Sequence, residues 1–247
     1  MIKKTVEKTT IPIDGKGFPV TIHREWRRSI RFSIGKRGAI MRMPTVLTKA
    51  QQAEQMERFE AWIRSQFAKK ESLKQRFFGK DYETGDVLKV GSREYVLKLE
   101  FVDTQRHNAK LKGNEIHLKL SDKDTELHLQ KAIKHLLSRI VAQDFKAEIT
   151  QRVLDLNDQY FQKEIRSVKL KYNQTNWGSC SSKTNINLST RLLFAPQAVI
   201  DYVIIHELSH LIEMNHSHRF WAIVENAMPD YKEKEKWLKV NGHLCDF

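Results

Sequence analysis

The feature that most constrains this chain is the run QAVIDYVIIHELSHLIE, residues 197–213, which follows directly on Pro196. It is strongly apolar yet too short to span a bilayer, so it must be buried inside a folded core. Proline suits the start of a helix, where its missing N–H costs nothing. Within this apolar helix stand His206, Glu207 and His210. Burying two imidazoles and a carboxylate without partners costs several kcal/mol, and a shared cation removes that cost. Residues four apart on an α-helix lie about 40° apart around its axis, so both imidazoles project from one face and can ligate one tetrahedral zinc. Glu207 sits beside them, placed to take a proton from a metal-bound water without itself ligating.

A catalytic zinc takes three protein ligands and keeps one position for water. His216, ten residues after His206 and beyond the helix end, is the leading third ligand, with His218 and Glu225 as alternatives. Asn215 supports His216, because asparagine tolerates the left-handed conformation that often closes helices. The expected cofactor is one Zn2+ per chain, and the chemistry is hydrolysis, with Glu207 as general base and then general acid. A protein or peptide substrate is the first reading. An amidase or deacylase acting on another substrate is the second, and a nucleic-acid-binding module with a structural zinc closed by a fourth ligand such as His218 is the third. Arg219, Tyr231 and His243 fall in the right part of the chain to stabilise an oxyanion, and none is singled out. Asp201 is read as a helix-start charge in preference to a partner of a ligand.

The surrounding residues resemble the YgjP-like family of zinc metallopeptidases, related to the SprT and WLM-type proteases. The resemblance rests on Trp177-Gly178-Ser179-Cys180-Ser181-Ser182-Lys183, Asn185-Ile186-Asn187-Leu188, Ile200-Asp201-Tyr202-Val203, the His206–His210 motif, Asn215-His216-Ser217 and Phe220-Trp221. It is close over residues 165–225 and only general over 15–120. It implies His206, His210 and His216 as ligands and Glu207 as the catalytic acid/base. The spacing is also similar to that of metzincins, but Glu213 stands where those enzymes have glycine. The Trp177–Lys183 segment has two readings: a cleft rim, with the Asn185–Ser189 strand offering a free edge to an extended peptide, or a core anchor with a tight turn. Cys180 is read as a packed thiol, and Phe220 and Trp221 as core residues behind the His216 loop.

Elsewhere the pattern predicts an α+β fold: a strand-rich N-terminal part, then a helical, zincin-like metallopeptidase domain built on the HExxH helix. Short β-branched and aromatic runs punctuated by glycine over residues 9–43 predict antiparallel strands. Ala53, Met56, Phe59, Ile63 and Phe67 at helical spacing after Thr48 predict a helix near 48–77. Strands follow at 87–90, 93–102, 109–111 and 116–120, with a turn at Lys112-Gly113-Asn114. A long helix then starts at Asp122 or Asp124 and reaches Phe161, with a break near Asn157. Strands at 165–172 and 185–189 flank a polar turn region, and helices over 217–228 and 231–240 close the chain. No internal repeat is visible, and the domain boundary is read at 121/122, giving regions 1–121 and 122–247.

The formal charge is +13, and most of it lies early: residues 1–150 hold 31 Lys/Arg against 19 Asp/Glu. Such a field can attract nucleic acid or acidic proteins, so the basic N-terminal region has two readings: a nucleic-acid contact, or a basic surface with no dedicated partner. The start, MIKKTVEKTT, does not read as a secretory signal, no run is long enough for a membrane helix, and two widely spaced cysteines suit a thiol-tolerant compartment. The expectation is a cytoplasmic protein with no membrane association. The sequence leaves the oligomeric state open.

Overall fold

The computed structural model describes residues 4–35, 37–78, 81–124 and 126–247. Two compact units divide at Gly79/Lys80. The change from strand to helix near 121–122 lies inside the second unit, because the strands there bury their apolar face on the long helix that follows.

In the first unit, strands β1 (Thr5–Ile13), β2 (Lys16–Glu25), β3 (Arg31–Gly35) and β4 (Gly38–Pro44) form a sheet in the order β1-β2-β4-β3. β1 and β2 make a hairpin whose turn residues Asp14 and Gly15 both take positive φ, 49° and 79°. That conformation matches the twist of the flanking strands. β2 and β4, however, run parallel, which corrects the expectation of antiparallel strands throughout. Burial explains the order. The poorly buried β3, RFSIG, takes the edge, and the more apolar β4 takes the centre. Gly38 permits it: a Cβ there would lie 2.1 Å from the carbonyl oxygen of Pro19.

Helix α1 (Lys49–Lys69) starts at Thr48 with a reciprocal capping box to Gln51, satisfying backbone donors that a helix start leaves open. It buries Gln55, Phe59, Ile63 and Phe67. It ends at Lys70, before a second helix, α2 (Glu71–Phe78), so the expected single helix is two. Phe18, Met41, Met43, Phe59 and Phe67 are at most 2% exposed and form this unit's core.

The second unit opens with the same topology. β5 (Val87–Val90), β6 (Arg93–Val102), β7 (Asn108–Lys112) and β8 (Glu115–Ser121) lie in the order β5-β6-β8-β7, with β6 and β8 parallel. Each unit therefore builds a four-stranded sheet of two hairpins, a structural repeat that leaves no visible trace in the sequence. Helix α3 (Glu126–Tyr160) follows, 35 residues without a break at Asn157. Asn157 instead caps the turn after the helix, its side chain bonding both the N–H and the carbonyl of Lys163. A small sheet comes next, order β10-β11-β9, from β9 (Ser167–Lys171), β10 (Gly178–Cys180) and β11 (Asn185–Ser189). A 3₁₀ turn over Thr190–Phe194 leads to α4 (Gln197–Ser209), α5 (His218–Ala227) and α6 (Tyr231–Asn241).

α4 is the central element of this unit: ten of its residues, Val199–Ile205 and Glu207–Ser209, are buried. One polar residue among them, Asp201, holds α4 to α3. Its carboxylate accepts two hydrogen bonds of 2.8 Å from the Arg152 guanidinium and another from Gln197. It thus anchors the helix to its neighbour and is no helix-start charge. No helix among the described residues is long and apolar enough to cross a membrane.

The Asp201 side chain is 12% exposed and that of Arg152 39%, so removing the arginine strands the more buried charge. Arg152→Ala is expected to destabilise the fold by on the order of 3 kcal/mol, at least as much as Asp201→Ala, as read by denaturant unfolding of the two variants. A smaller loss for Arg152→Ala than for Asp201→Ala would contradict this ranking.

Candidate metal centre

α4 delivers His206 and Glu207, and ends at Ser209. His210 is its C-cap residue, still in right-handed helical geometry, with φ −67° and ψ −14°. The chain then turns through residues 211–217 and enters α5. Ser217 caps α5, its hydroxyl accepting from the Phe220 N–H. Asn215 reaches this turn without positive φ, so the expected left-handed closure is not used. Its carbonyl accepts instead from the Ser217 N–H at 2.7 Å.

The result is a convergence of imidazoles. One ligand atom from each of His206, His210 and His216 lies within 4.8 Å of the other two, the cluster of metal-ligating side chains among the described residues. The Nε2 atoms of His206 and His216 are 3.0 Å apart. Ligand nitrogens about 2.0–2.1 Å from a tetrahedral zinc stand about 3.3 Å from one another, so the spacing suits a shared ion. The Nδ1–H of His210 donates to the Glu213 carbonyl at 3.1 Å, which fixes the tautomer and leaves the Nε2 lone pair for the centre. Glu213 thus serves the site through its backbone. Neither His218, in the first turn of α5, nor the exposed Glu225 belongs to the cluster.

Burial disfavours the charged form of His206 and of His210. The His206 pKa is pushed down to about 4, by burial first and then by His210 and His216. That of His210 is lowered mainly by burial. Neutral imidazoles offer lone pairs, as ligation requires. His206 Nδ1 is buried and has no partner. Phe220, fully buried, holds the trio from behind. It stacks on His210 with ring centroids 4.5 Å apart and meets His206 and His216 at 4.9 and 4.8 Å. Both the donor set and its support fit a divalent ion with imidazole preference.

Glu207 is 5% exposed. Burial pushes its pKa up to about 8, against the pull of one hydrogen bond from the Cys180 backbone N–H. That bond comes from β10, which lies across the carboxylate. A Cβ on Gly178 would sit 2.6 Å from the Glu207 Cγ and Oε1, so only glycine allows the strand this close. Sequence patterning placed no strand in this stretch, since three residues have no period to detect. It also placed the free edge on Asn185–Ser189, whereas β11 is paired on both sides and β10 is the edge. Cys180 and Cys245 are both free thiols, and burial holds the Cys180 thiol up at about 11, with Glu207 adding to the effect.

The trio and Glu207 open onto a cleft of about 560 Å³. β10 and Trp177 form one wall, and Leu238 and Lys239 of α6 contribute to the lining. The wall is tied in place by Arg191. Its guanidinium lies 4.7 Å over the Trp177 ring and donates to the carbonyls of Gln174, Gly242 and Cys245. Arg219, Tyr231 and His243 do not line the cleft. Tyr202 does, one helical turn before His206, with its ring 6.1 Å from that imidazole; the sequence reading assigns it no role at the site. The signal was available in the i, i+4 spacing to His206.

These features define a metallopeptidase domain, and comparison with known proteins agrees. The family model of the YgjP-like metallopeptidase domain matches residues 28–241, and the chain belongs to that family. Two crystal structures are similar to part of it. One is the metallopeptidase zymogen of Pyrococcus abyssi abylysin, 24% identical over 37% of this chain and 94% of that one, with a TM-score of 0.34. The other is the metallopeptidase zymogen of Methanocaldococcus jannaschii jannalysin, 23% identical over 39% and 96%, with a TM-score of 0.33. No curated protein matches the chain.

The raised Glu207 pKa has a sign that can be tested in metal-free protein. Folded Glu207 holds its proton up to about pH 8, whereas its ordinary value is 4.5. The folded state therefore binds more protons than the unfolded state between these values, and stability falls as pH rises through them. Glu207→Gln, which cannot ionise, is expected to gain in melting temperature over the wild type steadily from pH 4.5 to 8. A difference independent of pH would show that the carboxyl titrates normally.

Proposed function

We propose that the chain is a zinc-dependent peptidase in which His206, His210 and His216 hold one Zn2+ and Glu207 moves the protons. The observation that carries this reading is the convergence of three imidazoles beside the buried carboxylate of Glu207. When bound, zinc would polarise the scissile carbonyl and make water acidic enough to lose a proton near neutral pH. Its charge would also draw the Glu207 pKa down from about 8, leaving the carboxylate ionised and ready to accept that proton. Glu207 Oε1 or Oε2 takes the proton from the attacking water and later delivers it to the departing amine nitrogen. The Cys180 N–H steadies the carboxylate while it does so.

Peptide is favoured as substrate by the β10 edge. Trp177 pairs with Ser189 and Ser181 with Asn185 through backbone hydrogen bonds to β11, so by alternation the Gly178 and Cys180 backbone groups face away from the sheet. An extended peptide laid along this edge would pass in front of Glu207 and the imidazoles. The Cys180 N–H stays with Glu207, so the peptide would pair with the Gly178 backbone groups and the Cys180 carbonyl, displacing the Asn176 side chain, whose amide now donates to the Gly178 carbonyl at 2.9 Å. Tyr202, which lines the cleft, is the candidate donor of a hydrogen bond to the oxyanion.

Purified protein is expected to hold about one zinc per chain by elemental analysis, and His206→Ala to lose it. Glu207→Gln should keep the metal while degradation of an unfolded, fluorescently labelled protein falls at least a hundredfold, the usual scale of general acid–base catalysis. Turnover by Glu207→Gln at the wild-type rate would remove the proposed role. Gly178→Ala is expected to behave in the same way, zinc retained and hydrolysis lost, because its new methyl displaces the carboxylate and leaves the imidazoles untouched.

A further inference from the structure

The positive charge follows the fold boundary. Residues 1–79 carry 18 Lys/Arg against 7 Asp/Glu, while residues 80–247 carry 25 against 23. Nearly all of the +13 thus belongs to the first unit. Within that unit, cations gather at one end of the sheet. β2 ends at Glu25, opposite the Pro44 end of β4, and the loop 26–30 leads from there into β3. Arg31 starts β3 directly opposite Arg42 of β4. Two like charges facing across a ladder destabilise it, so an anion is called for.

The protein supplies too little. Glu25 alone serves Arg27, Arg42 and Lys4, at 3.2, 3.2 and 3.7 Å, and Glu7 is engaged by Arg24 at 2.8 Å. Arg28 and Arg31 are exposed, and no carboxylate among the described residues is paired with either. The end of the sheet therefore holds six cations against two carboxylates. Two residues before Arg28, in the same loop, Trp26 is 87% exposed. Tryptophan is normally among the more buried residues, and a large apolar ring held in water next to unneutralised guanidinium groups marks a recognition surface.

From these juxtaposed groups we infer that the 26–31 loop of the first unit binds single-stranded nucleic acid, with Trp26 stacking on a base and Arg28 and Arg31 contacting the flanking phosphates. A single exposed ring between cations fits an unpaired base and its backbone. Duplex DNA hides its base faces from such a ring, and an anionic membrane rewards a broader apolar face than one side chain provides. Guanidinium groups suit phosphate, which they bind through two parallel N–H donors. This inference stands apart from the peptidase reading: it needs neither zinc nor Glu207.

The test is fluorescence anisotropy of the full-length protein with labelled single-stranded 20-mers of DNA and of RNA, against the same DNA as duplex, over a range of salt. The single strands are expected to bind more tightly than the duplex, and the stronger of the two identifies the natural polymer. Trp26→Ala should weaken binding roughly tenfold or more with the salt slope unchanged, and Trp26→Phe should restore most of it. Arg28→Ala with Arg31→Ala should instead lower the slope of log affinity against log salt by about 1.4, some 0.7 for each lost phosphate contact. An unchanged melting temperature and zinc content in each variant separate lost binding from lost folding. The inference is overturned if Trp26→Ala binds as the wild type does, if duplex binds as well as single strands, or if Trp26→Ala reduces binding to phosphatidylserine vesicles but not to the oligonucleotide.

Discussion

The second unit depends on the burial of α4. A helix whose residues 199–205 are all buried can carry His206 and Glu207 only if their polar atoms are provided for inside the core. The protein does so from two directions, leaving only His206 Nδ1 of the buried ones without a partner among the described residues. The turn after the helix brings back His216, with Phe220 packed against all three rings. From the other side β10 lays the Cys180 N–H on Glu207 and omits a side chain at Gly178. The three imidazoles and the Glu207 carboxylate are thereby held in one place by packing, with little conformational freedom left to lose. The anchoring of α4 to α3 through Asp201 and Arg152 extends that rigidity away from the cleft.

The cost of the arrangement is visible in its titration. Burial raises the carboxyl to about 8 and lowers His206 to about 4, opposite directions with one cause, since low dielectric disfavours whichever form is charged. A divalent ion at the trio would relieve the carboxylate and make use of the imidazole lone pairs. Arrangements of this kind give up folding stability for function. The cleft walls are secured by cheaper means, chiefly the Arg191 guanidinium, which joins the Trp177 rim to the carbonyls of Gly242 and Cys245.

The two units share a sheet design and differ in surface. Each has two hairpins joined by a parallel pair, with the helix that follows it in sequence packed on the sheet. Yet one is strongly basic and the other nearly balanced. Charge has little to do with which fold forms and much to do with what approaches it. That separation lets the same architecture serve as a scaffold for chemistry in one unit and as a charged surface in the other.

Local signals in the sequence determined a good deal. The i, i+4 histidines, the carboxylate beside them, the third histidine ten residues on, the Thr48 cap and most strands all rest on short-range periodicity or turn chemistry, which the chain writes into adjacent residues. Tertiary structure alone decided the rest. That β4 inserts beside β2, that the unit boundary falls at 79/80, and that a three-residue strand closes over Glu207 depend on contacts between residues distant along the chain. Asp201 makes the same point: it looks like a local charge and is fixed by Arg152, 49 residues away, whereas Asn157 is held by the turn that follows it. Periodicity reports which face of an element is apolar; the choice of what covers that face is made by packing and hydrogen-bond satisfaction in three dimensions.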